Sequence, residues 1–362
     1  MYTSLRIRNF RCHEDLAFED LAPVNLIVGR NNAGKSAVLE ALFIFSGGCN
    51  PHLAVTADAR RGIDRIEFSA EAPPWASLFR DYDTSRLIKL AAGASTGLQH
   101  TLTMRDIRNP LELARLPIPS AKTEPNGGDQ KSVSSAELQP TLGVLELGAS
   151  REEHEYTAYA ILRPDGVRVE PPAPLQPPTR GYFLTPHGGP YIDEDARLFT
   201  SLEVSDHVPD LVSALRVLEP ALEGLSLLVL ADRVLIHGRI PGERPMPLPI
   251  LGQGMQRVAQ LLLRILNAPG GMVLADEIET GLHHSVLKDV WRAVRDAAVS
   301  ADVQLFATTH SAECVAAAGA AFADAPSLFR LHRIDRIGGR TSAVTYDTET
   351  LLAADEMKLE VR

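Results

Sequence analysis

Residues 29–36 read GRNNAGKS, a glycine-rich stretch that ends in Lys35 and Ser36. The spacing fits G-x-x-x-x-G-K-[ST], a loop whose backbone N–H groups surround phosphate oxygens. The Lys35 ammonium would neutralise the terminal phosphates, and the Ser36 hydroxyl would ligate Mg²⁺. A helix that begins near Lys35 adds the positive end of its dipole. We therefore predict a phosphate-binding loop made of Gly29, Asn31, Asn32, Ala33, Gly34, Lys35, Ser36 and Ala37.

Two carboxylates follow an apolar run later in the chain, where residues 271–277 read GMVLADE. Ligands of α/β proteins bind at the carboxyl ends of the strands, so Asp276 and Glu277 should lie beside the phosphate loop. We predict that Asp276 holds Mg²⁺ together with Ser36 and that Glu277 is the general base for an attacking water. The alternative, a strand that ends in two solvated acids, is disfavoured by the phosphate loop.

A third apolar run, VQLFATTH (residues 303–310), ends in His310. A histidine at the end of a strand is often structural. Because this one follows Asp276 in a further strand of the same pattern, we predict that it reaches a γ-phosphate at the same edge of the sheet and takes part in catalysis.

Residues 247–263 read PLPILGQGMQRVAQLLL, a glycine-flanked turn followed by a helix. A helix N-terminus exposes N–H groups and is a phosphate site. One copy of the chain has no second phosphate to place there. Gly252, Gln253 and Gly254 are therefore predicted to bind the γ-phosphate held by another copy, which makes the protein a homodimer joined by ATP. An ordinary glycine-bearing helix cap is the alternative.

The elements that would position these residues are a strand at residues 24–29, a helix at 35–45, and further strands and helices after residue 207. Among the latter, residues 208–222 predict an amphipathic helix, and SLLVLADRVLIHGRI (226–240) predicts a hairpin. Alternating runs between residues 58 and 200, the first of them IDRIEFSA (63–70), predict β-strands, and RPDG (163–166) predicts a hairpin turn. We divide the chain into an N-terminal part of the head (1–57), a β-rich lobe (58–200) with a mobile loop at 119–140, and a C-terminal part of the head (201–362). Proline-dense residues 170–180 predict an extended connector, with an SH3-type ligand as the alternative.

Composition narrows the classes of function. Hydrophobic residues make up 45% and charged residues 23% of the 362, as in an ordinary soluble protein. No apolar run approaches the roughly 18 residues of a membrane span, and the N-terminus does not have the pattern of a signal peptide. Cys12, Cys49 and Cys314 lie far apart. We expect a cytoplasmic protein that does not contact a membrane.

The net charge of −10 argues against broad electrostatic binding to DNA. Arg6, Arg8 and Arg11 near the N-terminus leave two interpretations open. They form a local basic patch, or they line the solvated side of a strand.

The order of phosphate loop, glycine turn, acidic strand and histidine resembles the ATP-binding heads of the ABC superfamily. The opening LRIRNFRCHEDLAFEDLAPVNLIVGRNNAGKSAVLEAL is similar to the SMC, RecF and OLD branch, and GRNNAGKS and ADEIETGLHH are similar to OLD-like, AAA15-type ATPases. The resemblance covers residues 1–57 and 180–362. It implies an α/β fold of the P-loop NTPase, ABC-head type: a mixed sheet with helices on both faces, an antiparallel β-lobe and a small helical arm. It also implies ATP and Mg²⁺ as cofactors.

Three features depart from that pattern. Gly252 replaces the serine of an LSGGQ signature, no Q-loop glutamine follows the strand at residues 181–185, and no long coiled-coil arm is present. No segment resembles a Toprim nuclease domain either. We therefore expect an ATP-hydrolysing switch that acts on a separate nuclease or Toprim-like partner in DNA repair or anti-phage defence. The alternatives are a self-sufficient, RecF-like ATPase that binds DNA itself and, with less support, the ATPase subunit of a transporter.

Overall fold

The computed structural model describes residues 1–59, 73–118, 140–171, 179–186, 192–230 and 233–357. Three sequence predictions lie outside them: the strand IDRIEFSA (63–70), nearly all of the mobile loop 119–140 and most of the proline-dense connector 170–180. No helix in the described ranges is long and apolar enough to cross a bilayer.

The described residues form sixteen strands, numbered along the chain: β1 (Tyr2–Phe10), β2 (His13–Glu19), β3 (Val24–Val28), β4 (Ile88–Ala94), β5 (Gln99–Ile107), β6 (Gly143–Arg151), β7 (His154–Arg163), β8 (Gly166–Glu170), β9 (Gly181–Leu184), β10 (Gly224–Leu230), β11 (Arg233–Arg239), β12 (Met246–Pro247), β13 (Met272–Ala275), β14 (Gln304–Thr308), β15 (Phe329–Ile337) and β16 (Arg340–Tyr346). They also form helices α1 (Lys35–Ser46), α2 (Pro51–Val55), α3 (Pro110–Leu113), α4 (Ile192–Val204), α5 (Val208–Leu215), α6 (Leu248–Leu251), α7 (Gln253–Leu266), α8 (Leu287–Ser300), α9 (Ala312–Ala321) and α10 (Thr348–Glu356).

A six-stranded mixed sheet carries the functional motifs. Its strand order is β16-β15-β3-β14-β13-β9. All neighbours from β15 to β9 are parallel, and β16 is antiparallel to β15. Both faces of this sheet are covered, so β3 is buried at all five positions, four apolar and one Asn25, whose amide hydrogen-bonds to the backbone of Ala22. Because β3, β13 and β14 run in the same direction, the segments that follow them emerge at one edge.

Helices cover both faces of the mixed sheet. Leu26 and Leu305 pack with α7, α8 and α9 on one side. Ile27 and Phe306, their neighbours in sequence, pack with α1 on the other side. This alternation follows from the two-residue period of a strand.

A seven-stranded antiparallel sheet covers the outer side of α1. Its order is β2-β1-β4-β5-β6-β7-β8. Ile7, Leu90, Leu102 and Leu147 on its inner face share a core with α1. Since α1 lies between two sheets, most of its residues are buried around its whole circumference. The RPDG sequence was predicted to be a hairpin turn and joins β7 to β8, with Arg163 paired to Gly166.

The segment between β9 and α7 contains α4, α5, a hairpin of β10 and β11, and α6. The hairpin was predicted. The predicted small helical arm corresponds to α4 and α5, whose buried leucines join the core under α7. A buried Arg264 on α7 pairs with Glu194 and Asp195 on α4 and holds the two helices together.

One sequence prediction in this segment is wrong. The helix predicted from residue 208 to 222 ends at Leu215, because Pro220 has no N–H to bond the Arg216 carbonyl oxygen and its ring would clash with that carbonyl in a continued helix. Residues 192–200, the end of the segment drawn as a β-rich lobe, belong to α4, whose buried Leu198, Phe199 and Leu202 have helical spacing.

Each of the two large sheets contains strands from more than one of the three segments into which the sequence was divided. β1 and β2, from residues 1–57, pair into the antiparallel sheet, and β9, from residues 58–200, lies beside β13 in the mixed sheet. The first segment thus contributes to both sheets.

Candidate functional site

The phosphate loop joins β3 to α1. Gly34 is the residue before the helix and has φ 98°, in the region that favours glycine. A Cβ on Gly34 would lie 2.5 Å from Cys12 Sγ and from His13 Cε1, so a larger residue has no room. No side chain caps the N-terminus of α1. The first N–H groups of the helix therefore remain available to an anion.

Lys35 folds back over the loop. Its Nζ donates to the carbonyl oxygens of Gly29 at 2.8 Å and Arg30 at 3.3 Å. Burial lowers the pKa of Lys35, while the nearby carboxylates of Asp276, Glu277 and Glu279 act in the opposite direction. The ammonium thus lies within electrostatic reach of the acidic motif.

Asp276 and Glu277 follow β13 and are linked through Thr308. Asp276 is 7% exposed, and its Oδ1 accepts a hydrogen bond from Thr308 Oγ1. The same hydroxyl oxygen accepts from the Glu277 N–H at 2.8 Å. Glu277 has φ 47°, an uncommon conformation for this residue type. Thr308, at the end of β14, therefore stabilises the backbone turn that separates the two carboxylates.

His310 lies between two carboxylates, two residues beyond the end of β14. Its Nδ1 is 3.8 Å from Glu277 Oε1 and 3.7 Å from Glu279 Oε1. Its backbone N–H donates to the same Glu279 oxygen at 3.2 Å. The imidazole is about half exposed, so the predicted γ-phosphate residue stands at the rim of the acidic cluster.

The glycine turn before α7 faces open space. Gly252 has φ 148° and ψ 149°, and no side chain caps the helix that follows. A Cβ on Gly252 would have no atom within 4 Å, whereas one on Gly254 would lie 2.8 Å from the Gly281 carbonyl oxygen. Gln253 is exposed. The turn is thus packed on residues that follow the acidic motif and presents its outer side to solvent.

Arg257, one turn into α7, connects this helix to the edge of the mixed sheet that carries the acidic motif. Its guanidinium donates to the carbonyl oxygens of Thr185, at 2.6 Å, and Asp276. Thr185 follows β9, where no Q-loop glutamine was found in the sequence. Arg257 is buried, and its hydrogen bonds tie α7 to the backbone of the acidic motif.

His13 supports the phosphate loop from behind. Its Nε2 lies 3.1 Å from the Gly34 carbonyl oxygen, and its Nδ1 lies 3.0 Å from Thr341 Oγ1 on β16. Burial lowers the pKa of His13 to about 4, and Arg336 and Arg80 act in the same direction. The ring is neutral at pH 7, with Nε2–H donating to Gly34 and Nδ1 accepting from Thr341.

The donor set suits Mg²⁺. Among the described residues, no group of three His, Cys, Asp or Glu side chains is placed to hold a metal ion. Ser36 and Asp276 offer one hydroxyl and one carboxylate oxygen, which is the small protein contribution that Mg²⁺ takes when phosphates and water complete its shell.

The structure thus brings together the phosphate loop, Asp276, Glu277 and His310, while the glycine turn contacts residues 281–282 instead. The roles assigned to these residues stay predictions. The sequence analysis assigned no role to four residues that the structure places at the site. Thr308 and Glu279 lie inside the motifs VQLFATTH and ADEIETGLHH, and Arg257 lies inside the predicted helix α7. No sequence pattern pointed to His13.

Comparisons with known proteins agree with this geometry. A protein-family model described as "AAA domain, putative AbiEii toxin, Type IV TA system" matches residues 24–316, more than half of the chain. The chain is 49% identical over 47 residues to the DNA double-strand break repair Rad50 ATPase of Archaeoglobus fulgidus, a match that covers 13% of this chain and 5% of that protein. It is 38% identical over 77 residues to the DNA replication and repair protein RecF of Prosthecochloris aestuarii, covering 21% and 19%.

The chain therefore spans only a small part of these two relatives. A solved structure of the SmcHead bound to the C-winged helix domain of ScpA matches with a TM-score of 0.50 and 13% identity, over 96% of this chain and 98% of that one. At this identity the likeness concerns the fold. The chain belongs to the AAA-domain family of that description, and it has the fold of an ABC/SMC-type ATPase head.

Proposed function

We propose that this protein binds Mg²⁺-ATP, hydrolyses it slowly, and closes as a homodimer around it. The proposal is carried by the contrast between two helix N-termini of one protomer. The phosphate loop lies beside its acidic partners, whereas the second N-terminus, at Gly252, is uncapped and faces solvent.

Within one protomer, the loop N–H groups and Lys35 bind the phosphates. Lys35 exchanges its carbonyl partners on Gly29 and Arg30 for phosphate oxygens. Ser36 and Asp276 hold Mg²⁺, which neutralises charge on the phosphates when bound. Thr308 orients Asp276, because it donates a hydrogen bond to the carboxylate.

Glu277 is the general base in this proposal. Its side chain is 38% exposed, so it can reach a water on the solvent side of the γ-phosphate. His310 contacts that phosphate from the neighbouring strand. Gly252, Gln253 and Gly254 bind the γ-phosphate of the partner protomer through backbone N–H groups, since no serine stands in this turn.

The proposed biological role is an OLD-like switch for a nuclease or Toprim-like partner, in the cytoplasm. The DNA-repair names of the Rad50 and RecF relatives support a link to DNA processing. A RecF-like protein that binds DNA by itself is the second candidate. Against it, Arg6 and Arg8 pair with Asp15, and Arg11 pairs with Glu40 and Asp58, so these arginines offer little uncompensated charge.

The test is the mass of the Glu277→Gln variant in solution, measured by light scattering with and without saturating Mg²⁺-ATP. Loss of the base should trap ATP, so we expect a monomer without nucleotide and a dimer with it. Lys35→Ala serves as the control and should remain monomeric. A Glu277→Gln protein that stays monomeric at saturating ATP contradicts the dimer. Adding duplex DNA at low and high salt separates the RecF-like candidate, whose binding would require ATP and weaken steeply with salt.

A further inference from the structure

The acidic motif contains a third carboxylate, Glu279, whose environment differs from that of Glu277. The Glu279 side chain is 13% exposed, against 38% for Glu277. Its Oε1 accepts from the His310 backbone N–H, and its Oε2 is buried with no hydrogen-bond partner in the described part of the chain. This carboxylate is held in place by one hydrogen bond and has a second oxygen that can still accept one. A buried acceptor without a partner costs free energy.

His310 is the group that this carboxylate can act on. The imidazole is 54% exposed, and its Nδ1 is 3.7 Å from Glu279 Oε1, slightly beyond hydrogen-bond distance. A small rotation brings Nδ1–H onto the carboxylate. Catalytic hydrogen bonds are often long before the substrate is bound and shorten in the complex.

We propose that Glu279 is the positioning residue for His310. It fixes the backbone at residue 310 through the N–H and holds the Nδ1 proton, so that Nε2 is directed at the γ-phosphate. Two carboxylates then have two roles: Glu277 polarises water, and Glu279 orients the histidine. A carboxylate that orients an imidazole in this way selects its tautomer.

The local chain supports this division. The Leu282 N–H donates to the Glu279 carbonyl oxygen at 2.9 Å. Gly281, which precedes Leu282, lies against Gln253 and Gly254 of the glycine turn. Glu279 therefore stands between the histidine and the surface that would meet a second protomer. The inference rests on the proposed function, because it needs a γ-phosphate at His310.

The experiment is a double-mutant cycle of Glu279→Gln and His310→Ala, read by the ratio of affinities for ADP and a non-hydrolysable ATP analogue. This ratio reports contact with the γ-phosphate and does not depend on turnover. Glu279→Gln keeps an acceptor for the His310 N–H but removes the charge. We expect it to reduce the preference for the ATP analogue about tenfold, with ADP affinity changed less than about threefold, since a charge-assisted hydrogen bond is lost. In the His310→Ala background the same substitution should have no further effect.

The matched control is Glu313→Gln, which removes one negative charge from the first turn of α9 near the same edge and should leave the ratio unchanged. Independent, additive effects in the cycle overturn the proposal, as does an unchanged ratio in Glu279→Gln. Melting temperatures identify a variant that is merely unstable, and the Glu279→Asp protein, which keeps the charge, should recover part of the preference. If the wild-type protein binds the ATP analogue but hydrolyses no ATP, the proposed activity fails while the cycle still decides the role of Glu279.

Discussion

At the phosphate loop, a Cβ added to Gly34 would meet His13 and Cys12, whereas at the glycine turn a Cβ added to Gly252 would meet open space. Both positions precede a helix with no side-chain cap. The first is enclosed by its own chain: His13 binds the loop carbonyl, and Lys35 bridges the loop ends. The second packs on its own chain through Gln253 and Gly254, which lie against Gly281.

From this difference we expect the two helix N-termini to have different roles. A helix N-terminus surrounded by its own protein can hold a phosphate without a partner. A helix N-terminus on the surface binds phosphate weakly because water competes for its N–H groups, and it gains strength only when a second surface excludes that water. The two ends are therefore expected to respond to mutation in different assays: the first in nucleotide affinity, the second in association.

The largest expected effect is at the enclosed end. Lys35→Ala removes a half-buried charge opposite the phosphates, which should weaken nucleotide binding by about 4 kcal/mol, or about a thousandfold. Titration calorimetry with Mg²⁺-ADP measures this directly. The control Lys89→Ala alters an exposed lysine on β4 and should bind as the wild type does. Equal affinity in Lys35→Ala and wild type would falsify the phosphate-loop assignment.

The next effect concerns the support behind the loop. The pKa of His13 falls from an ordinary 6.5 to about 4 in the folded protein. The unfolded chain takes up this proton below about pH 6.5, and the folded protein does so only near pH 4. The histidine's stabilising contribution is thus complete above pH 6.5 and is lost as the pH falls, by about 3 kcal/mol in all.

Urea unfolding of wild type and His13→Gln at several pH values between 7.5 and 4 tests this. The glutamine can still donate to the Gly34 carbonyl but does not titrate, so the free energy of unfolding should fall less steeply in the variant. Other buried histidines, such as His332, also have a lowered pKa and contribute equally to both proteins. Parallel curves for the two proteins would show that His13 is not the titrating group.

The smallest effect is expected at the exposed end. Gly252→Ala forces alanine into a conformation that only glycine adopts readily, at a cost of about 1–3 kcal/mol, and should displace the N–H groups of the turn. Nucleotide binding to the monomer should be unchanged, while ATP-dependent dimerisation in the Glu277→Gln background weakens about tenfold. Gly242→Ala, at φ 78° in a turn with no neighbour within 4 Å, is the matched control. Equal loss of monomer nucleotide affinity and of dimerisation would remove the distinction between the two ends.

Several features were predictable because they depend on local pattern. The phosphate loop is recognised from eight consecutive residues, and the buried strands β3, β13 and β14 are mainly apolar runs that lead directly into the motifs of the site. The order of these motifs then implied the fold, which the structure confirms.

Other features depend on which segments meet. No local pattern assigns β9 to the edge of the mixed sheet, since a four-residue strand has too few positions to indicate its partner. The helical spacing of α4 was present in the sequence, yet its burial depends on the facing Arg264 and Gln260 of α7. The positions of β9 and α4 therefore follow from packing against elements that are distant in the sequence.

By itself, the sequence predicted phosphate chemistry for this protein, because the residues of the predicted phosphate loop are contiguous and the carboxylates end recognisable strands. Only the tertiary structure decided what surrounds that chemistry. His13 reaches Thr341 across 328 residues, and Glu279 meets His310 only because β13 and β14 are neighbours. Such contacts join side chains that are far apart in the sequence, so neither hydrophobic periodicity nor residue spacing predicts them. They form when the sheets and helices pack.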